Sequence, residues 1–146
     1  MKCLKSNKGF TLIEMLLTIF VVCSLVFLPL INFNKTMATI ESRNFIHHVQ
    51  TELHFLQSYS IIKDKRTRFS IFPEFRTIKC TTSEENYFIK FPRSVEFMGE
   101  GAKIYNFEAG TGNLGNFNRM RFRTNDGQYI IKFQLGSGRF DVEKID

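Results

Sequence analysis

KGFTLIEMLLTIFVVCSLVFLPLI, residues 8–31, decides how this chain is read. Residues 10–31 are apolar apart from Thr11, Glu14, Thr18, Ser24 and Pro29. As a helix rising 1.5 Å per residue they extend about 33 Å, the thickness of a bilayer core. Threonine and serine return their hydroxyls to the helix backbone and so do not spoil such a span. A soluble core helix is a poor alternative at this length. Lys2, Lys5 and Lys8 precede the run, whereas Lys35, Glu41 and Arg43 follow it with little net charge. The N-terminus is therefore expected to stay in the cytoplasm while the rest is exported. LPLINF, residues 28–33, offers no small-residue site at which a secretory signal is cut, so the span is expected to be kept.

Glu14 is the informative interruption. An ionisable group inside a membrane segment costs on the order of a few kcal/mol unless something pairs with it. If the chain is cut between Gly9 and Phe10, a new ammonium appears four residues before Glu14, and pairing with an amine of this or a neighbouring chain would offset the cost. At about 4 Å and an effective dielectric of about 20 the attraction is on the order of 4 kcal/mol before desolvation is subtracted. A partner subunit inside the bilayer is the physical expectation. The alternative is a carboxyl near the cytoplasmic interface that is simply hydrated or protonated.

Lys8-Gly9-Phe10-Thr11-Leu12-Ile13-Glu14-Met15 resembles the leader and cleavage motif of type IV prepilins and pseudopilins. The resemblance covers roughly the first thirty residues. It implies that residues 1–9 are a leader removed after Gly9 by a membrane-embedded aspartic prepilin peptidase, and that Phe10 is N-methylated. It also implies that Glu14 meets the amino terminus, Phe10, of a neighbouring subunit, with the apolar helices packed in a filament core.

Beyond the span the pattern becomes amphipathic. Phe45, Val49, Leu53 and Leu56 recur at helical spacing, with Ile46 widening the stripe, and predict a helix over residues 36–59. Pro29 and residues 32–34 are expected to kink or loosen the junction. The outcome is one long kinked helix, its first half, residues 10–31, transmembrane and its second half, residues 32–62, extracytoplasmic and laid on a sheet.

From Arg66 onward short strand-like runs follow, at 68–72, 77–81, 87–91, 102–107, 117–123, 128–135 and 139–143. An antiparallel sheet is the simplest outcome, giving a β-rich head over residues 63–146. Thr124-Asn125-Asp126-Gly127 supplies turn residues that tolerate positive φ, and predicts a hairpin between Arg123 and Gln128. Tyr129, Ile131, Phe133 and Leu135 then share one face. A second turn, Gly136-Ser137-Gly138, leads to Phe140 and Val142. The glycine-rich stretch from Ala109 to Asn116 precedes a strand rather than a helix, and reads as a flexible connection, not a phosphate cradle. The fold class expected is α+β and pilin-like, a kinked helix packed on an antiparallel β-sheet head.

The 146 residues, 43% apolar, suffice for one such head plus one membrane segment. Seventeen Phe without Trp are spread through every segment and read as strand and core material. The net charge of +6 invites a nucleic-acid or anionic-membrane reading, but losing the three leader lysines halves it. Cys3, Cys23 and Cys80 are too few and scattered for a disulfide framework or a metal site.

The order of helix and strands, with QTEL at 50–53, QSYSI at 57–61 and FQLGSGRF at 133–140, is similar to Gram-positive competence minor pseudopilins of the ComGD type. These in turn resemble the H-type minor pseudopilins of type II secretion. The resemblance implies a low-abundance subunit of a competence pseudopilus supporting uptake of transforming DNA, with its head between membrane and wall and at the cell surface in the assembled filament. Its implied partners are other pilins or pseudopilins of the same filament, the prepilin peptidase and the membrane.

His47, His48 and His54 lack the one-turn spacing of helical metal ligands and read as surface or interface residues, so no metal and no cofactor is expected. No catalytic residue is assigned, since Gly136-Ser137-Gly138 lacks the strand-to-helix context of a nucleophile elbow. Arg119, Arg121 and Arg123 alternate onto one strand face, where they are candidates for contact with double-stranded DNA. Lys63, Lys65, Arg66 and Arg68 form a second basic cluster. The plainer account of both is that an exposed face needs charge for solubility and to block edge pairing.

Overall fold

A computed structural model of the chain describes residues 11–115, 118–134 and 136–145, with the backbone alone for residues 28–34. It divides into two units, Met1–Thr36 and Met37–Asp146. The leader expected at residues 1–9, together with Gly9 and Phe10, lies outside the described residues, as do Phe117 and Leu135.

Helix α1 runs over Leu12–Ile62. In the first unit the hydroxyls of Thr18 and Ser24 donate to the carbonyls of Met15 and Phe20 at 2.8 Å each, so these polar groups are satisfied within the helix. Helical structure continues through Pro29 and residues 32–34, where loosening was expected. Proline deprives a helix of one backbone bond, and the turns on either side carry on past it.

In the second unit the predicted stripe is buried. Val49, Leu53 and Leu56 are fully inaccessible, with Phe45 and Ile46 nearly so. Truncating Leu53 to alanine would cost about 2–5 kcal/mol at such a site. Ser42 and Ser60 are buried on the same helix and donate to Ala38 O at 2.8 Å and Gln57 O at 2.7 Å. The helix ends three residues later than the periodicity suggests, and Asp64 just beyond it has a φ of 50°. A left-handed residue at this place is a common way to end a helix.

Eight strands follow: β1 Thr67–Phe72, β2 Thr77–Thr81, β3 Asn86–Lys90, β4 Val95–Phe97, β5 Lys103–Phe107, β6 Met120–Thr124, β7 Gly127–Phe133 and β8 Phe140–Ile145. All pairings are antiparallel, and the chain has the α+β, pilin-like arrangement expected. The single sheet is corrected to two four-stranded sheets, ordered β3-β2-β1-β5 and β4-β6-β7-β8. The split arises because β5 returns to β1, with Thr67 opposite Phe107, and leaves β4 to pair with β6. Such distant pairings have no local signal. Strand β4 was missed because it has only three residues, although Val95 and Phe97 alternate inward around exposed Glu96.

Both sheets share one core with α1, and much of the phenylalanine is spent there. Phe45, Phe91 and Phe122 make edge contacts with ring centroids 5.3–6.1 Å apart, and Phe97 joins Phe122 at 5.4 Å. Such pairs add to the burial itself. Phe55, Phe75 and Phe88 are exceptions and stand exposed.

Two local expectations change. The hairpin forms with Thr124 opposite Gly127, but positive φ falls on Gly127 at 130° and on neither Asn125 nor Asp126. The glycine-rich connection is fixed to the helix rather than loose. Gly110 N–H donates to Ser60 O at 2.9 Å, Leu114 is buried and bridges Phe107, and Gln57 Nε2 donates to Gly112 O at 3.4 Å and Ser137 O at 2.9 Å. Gln57 thereby ties both glycine turns to α1.

Candidate functional site

The first unit offers an apolar surface on every side. From Thr11 to Phe27 all described side chains are exposed except half-buried Ser24. Leu12 is 82% and Phe20 72% accessible. A helix apolar all round is normally surrounded by lipid or by other protein. Among the described residues no helix is long and apolar enough to cross a membrane. The described side chains of the run stop at Phe27, before its expected end at residue 31.

At the start of this helix Thr11 and Glu14 bond reciprocally. Thr11 N–H donates to Glu14 Oε2 at 3.5 Å, and Glu14 N–H donates to Thr11 Oγ1 at 3.4 Å. This is a capping box, which satisfies backbone donors that the first turn leaves unpaired. The Thr-x-x-Glu spacing signals it in the sequence, yet it was not read there. A carboxylate at a helix N-terminus is also favoured by the helix dipole. Glu14 therefore has a local bond while remaining exposed to a cation from outside.

The arginine row is partly as expected. In β6, Met120 and Phe122 point into the core while Arg121 and Arg123 are exposed, and Arg119 is exposed just before the strand. Arg123 is paired with Glu96 at 3.4 Å. Arg119 and Arg121 line an open cleft of about 530 Å³ together with Lys103, Asn118 and Glu100. In the second cluster Lys63 meets Glu84 at 3.8 Å, Arg66 meets Glu108 at 2.7 Å and Arg68 Nε donates to Asn106 Oδ1 at 3.0 Å. Lys63 and Arg66 are thereby paired with carboxylates, whereas Arg68 is held by a neutral amide.

His47, His48 and His54 are exposed and do not converge. His48 Nε2 lies 3.1 Å from Glu52 Oε1, and the His54 ring stacks on Phe140 with centroids 4.5 Å apart. Among the described residues no group of three or more His, Cys, Asp or Glu could hold a metal ion. Cys23 and Cys80 are both free thiols.

Two polar clusters join helix to sheet. Asp126 at the β6–β7 turn accepts from Thr124 Oγ1 at 2.8 Å and Arg43 Nε at 2.9 Å, with Lys144 Nζ at 3.4 Å. Burial pushes its carboxyl up, but these hydrogen bonds and cations outweigh that and hold it at about 2. On the other sheet Tyr87 donates to Glu52 Oε2 at 2.6 Å beside buried Cys80. Burial and the nearby Glu52 charge raise the Cys80 thiol to about 12. Both clusters hold the head together and neither exposes a nucleophile beside a base.

Residues 4–27 match the family described as the prokaryotic N-terminal methylation motif. No curated protein and no solved structure matches the chain. The motif supports a type IV pilin or pseudopilin, a family of structural subunits rather than enzymes, anchored in the membrane and assembled with other pilins after processing by prepilin peptidase.

Proposed function

We propose that the chain is a minor pseudopilin of a competence type IV pilus-like filament that supports uptake of transforming DNA. The observation that supports its pilin-like part is the methylation motif over residues 4–27, followed by an α+β head. Cleavage after Gly9 exposes Phe10, which is methylated. Residues 10–31 hold the subunit in the membrane in a single pass, N-terminus inside and head outside. Filament entry then follows from contact between Glu14 of one subunit and the Phe10 amine of its neighbour.

The competence assignment rests on the resemblance of residues 50–61 and 133–140 to that subfamily. Its test is transformation of the host with this gene deleted. Transformation should fall to background, return with the intact gene and stay low with Glu14→Ala. Normal transformation in the deletion strain, with loss of an exported protein instead, would make this a subunit of a type II secretion-like system.

A second reading, a tip subunit that touches double-stranded DNA, is favoured by Arg119 and Arg121 around the open cleft. It predicts retarded DNA migration, weakened by Arg119→Ala, Arg121→Ala and added salt. Arg123 contributes less because it is paired with Glu96. Equal retardation by the variants would remove this reading.

A further inference from the structure

The outer face of the β3-β2-β1-β5 sheet carries a groove of about 530 Å³ lined by Phe72, Phe75, Thr77, Lys79, Phe88 and Lys90. Phe75 is 76% and Phe88 62% accessible, although most phenylalanines of the head are core. Scattered apolar residues on a surface are ordinary, but two open aromatic rings converging on one groove are not. The groove holds two ammonium groups and no carboxylate. Lys79 stands 5.9 Å from the centre of the Phe88 ring. Among the described residues neither lysine forms an ion pair.

The groove lies beside an open sheet edge. Strand β3 is paired on one side by β2 and has no strand on the other among the described residues. Just beyond the strand, Phe91 N–H donates to Arg76 O at 2.8 Å, and at the other end Thr82 N–H donates to Glu85 O at 2.9 Å. Both bonds fit the β2–β3 register, in which Ile78 faces Ile89 and Cys80 faces Tyr87. In an antiparallel ladder residues alternate between bonding to the partner and facing away. The odd-numbered residues therefore bond to β2, and Asn86, Phe88 and Lys90 direct their N–H and C=O groups to the open edge. Phe88 and Lys90 also place their side chains on the groove face.

We infer that this edge and groove receive an extended acidic segment of another polypeptide, added to β3 as a further strand. Main-chain bonds to Asn86, Phe88 and Lys90 supply affinity, and alternate side chains supply selection. The incoming strand places an apolar side chain opposite Phe88 and a carboxylate two residues away opposite Lys90. The lysines then select acidic segments and repel basic ones. The surface is separate from α1 and from the arginine cleft, so it does not depend on the assignment to a filament.

The test uses the full chain in nanodiscs of zwitterionic lipid. A fluorescent peptide of the repeat Phe-Thr-Asp-Thr, which sets phenylalanine and aspartate two residues apart on one strand face, is titrated by anisotropy, beside a counterpart with lysine for aspartate and one with alternate backbone N-methylation. The acidic peptide should bind at least about tenfold more tightly than either counterpart. Phe88→Ala and Lys90→Glu should each weaken it at least about tenfold, and exposed Lys90 keeps the test valid if Phe88→Ala misfolds. Equal binding of acidic and basic peptides, or unchanged binding by Lys90→Glu, overturns the inference. Phe88-dependent self-association, or Phe88-dependent adsorption to phosphatidylglycerol vesicles, without peptide binding would overturn it too and assign the groove to a second copy or to lipid.

Discussion

Glu14 closes a reciprocal pair with Thr11 at the first turn of α1, its carboxylate 3.5 Å from the Thr11 nitrogen and its own N–H 3.4 Å from the Thr11 hydroxyl. In the proposed filament the same carboxylate would also meet an amine of a neighbouring subunit. The two roles separate by substitution. Losing the cap costs about 1 kcal/mol of local helix stability. Losing an ion pair within a low-dielectric assembly costs several times more.

Thr11→Ala should therefore leave co-purification with other pilins nearly intact, whereas Glu14→Ala should reduce it at least about tenfold. Both variants should still enter the membrane fraction. Affinity capture from detergent extracts, read by immunoblot, checks this. Equal loss in the two variants would make capping the only role of Glu14.

Acid should loosen the helix from the β6–β7 hairpin. The carboxyl of Asp126 lies at about 2 when folded, below its ordinary value of 3.8. Its contribution is complete above the unfolded value and lost as pH falls through the folded one. Thermal melts of the intact chain should show a drop between about pH 4 and pH 2 that Asp126→Asn lacks. At pH 7 the variant should already melt lower, since Arg43 and Lys144 lose the charge of the Asp126 carboxylate.

Alkali acts on the other sheet. Cys80, raised to about 12 from 9.0 mainly by burial, stays protonated in the fold where the unfolded chain ionises. Its contribution is present below about pH 9 and lost as pH rises toward 12. Iodoacetamide should label Cys80 at pH 8 only after denaturant is added. Rapid labelling of Cys80 itself in the native chain, located by peptide mapping apart from exposed Cys23, would mean that this core is open.

Gly138→Ala tests the clasp made by Gln57. A Cβ there would stand 2.1 Å from Gly112 O on a backbone with φ of 62°. Stability should fall by about 2–4 kcal/mol in denaturant unfolding. Gln57→Ala, which removes only the bonds to Gly112 and Ser137, should cost about 1–2 kcal/mol. At Gly101 no heavy atom lies within 4 Å of the added Cβ, so alanine there meets backbone strain alone and should cost less.

The legible parts of this chain were those written in short-range periodicity. Phe45, Val49, Leu53 and Leu56 announced the buried helix face, and the alternation of Arg121 and Arg123 announced the exposed face of β6. Partition into two sheets was not legible, because whether β5 joins β1 or β4 depends on contacts between residues as distant as Thr67 and Phe107. For the same reason the anchoring of Gly112 by Gln57 and of Asp126 by Arg43 could not be read from their neighbours. Phe88 and Phe75 were also hidden, since a count of phenylalanines cannot say which ones the folded sheet leaves outside. The capping box of Thr11 and Glu14 is written in the Thr-x-x-Glu spacing, although a charge in an apolar run points first to a partner.

Mass spectrometry of the mature N-terminus, from cells with and without prepilin peptidase, decides whether the chain is a processed pilin. The mature chain should start at Phe10 and carry one N-methyl group, replaced in the peptidase-deficient strain by the uncut chain from Met1. A mature protein that still begins at Met1 in the presence of the peptidase, or one cut after residue 31, would contradict it.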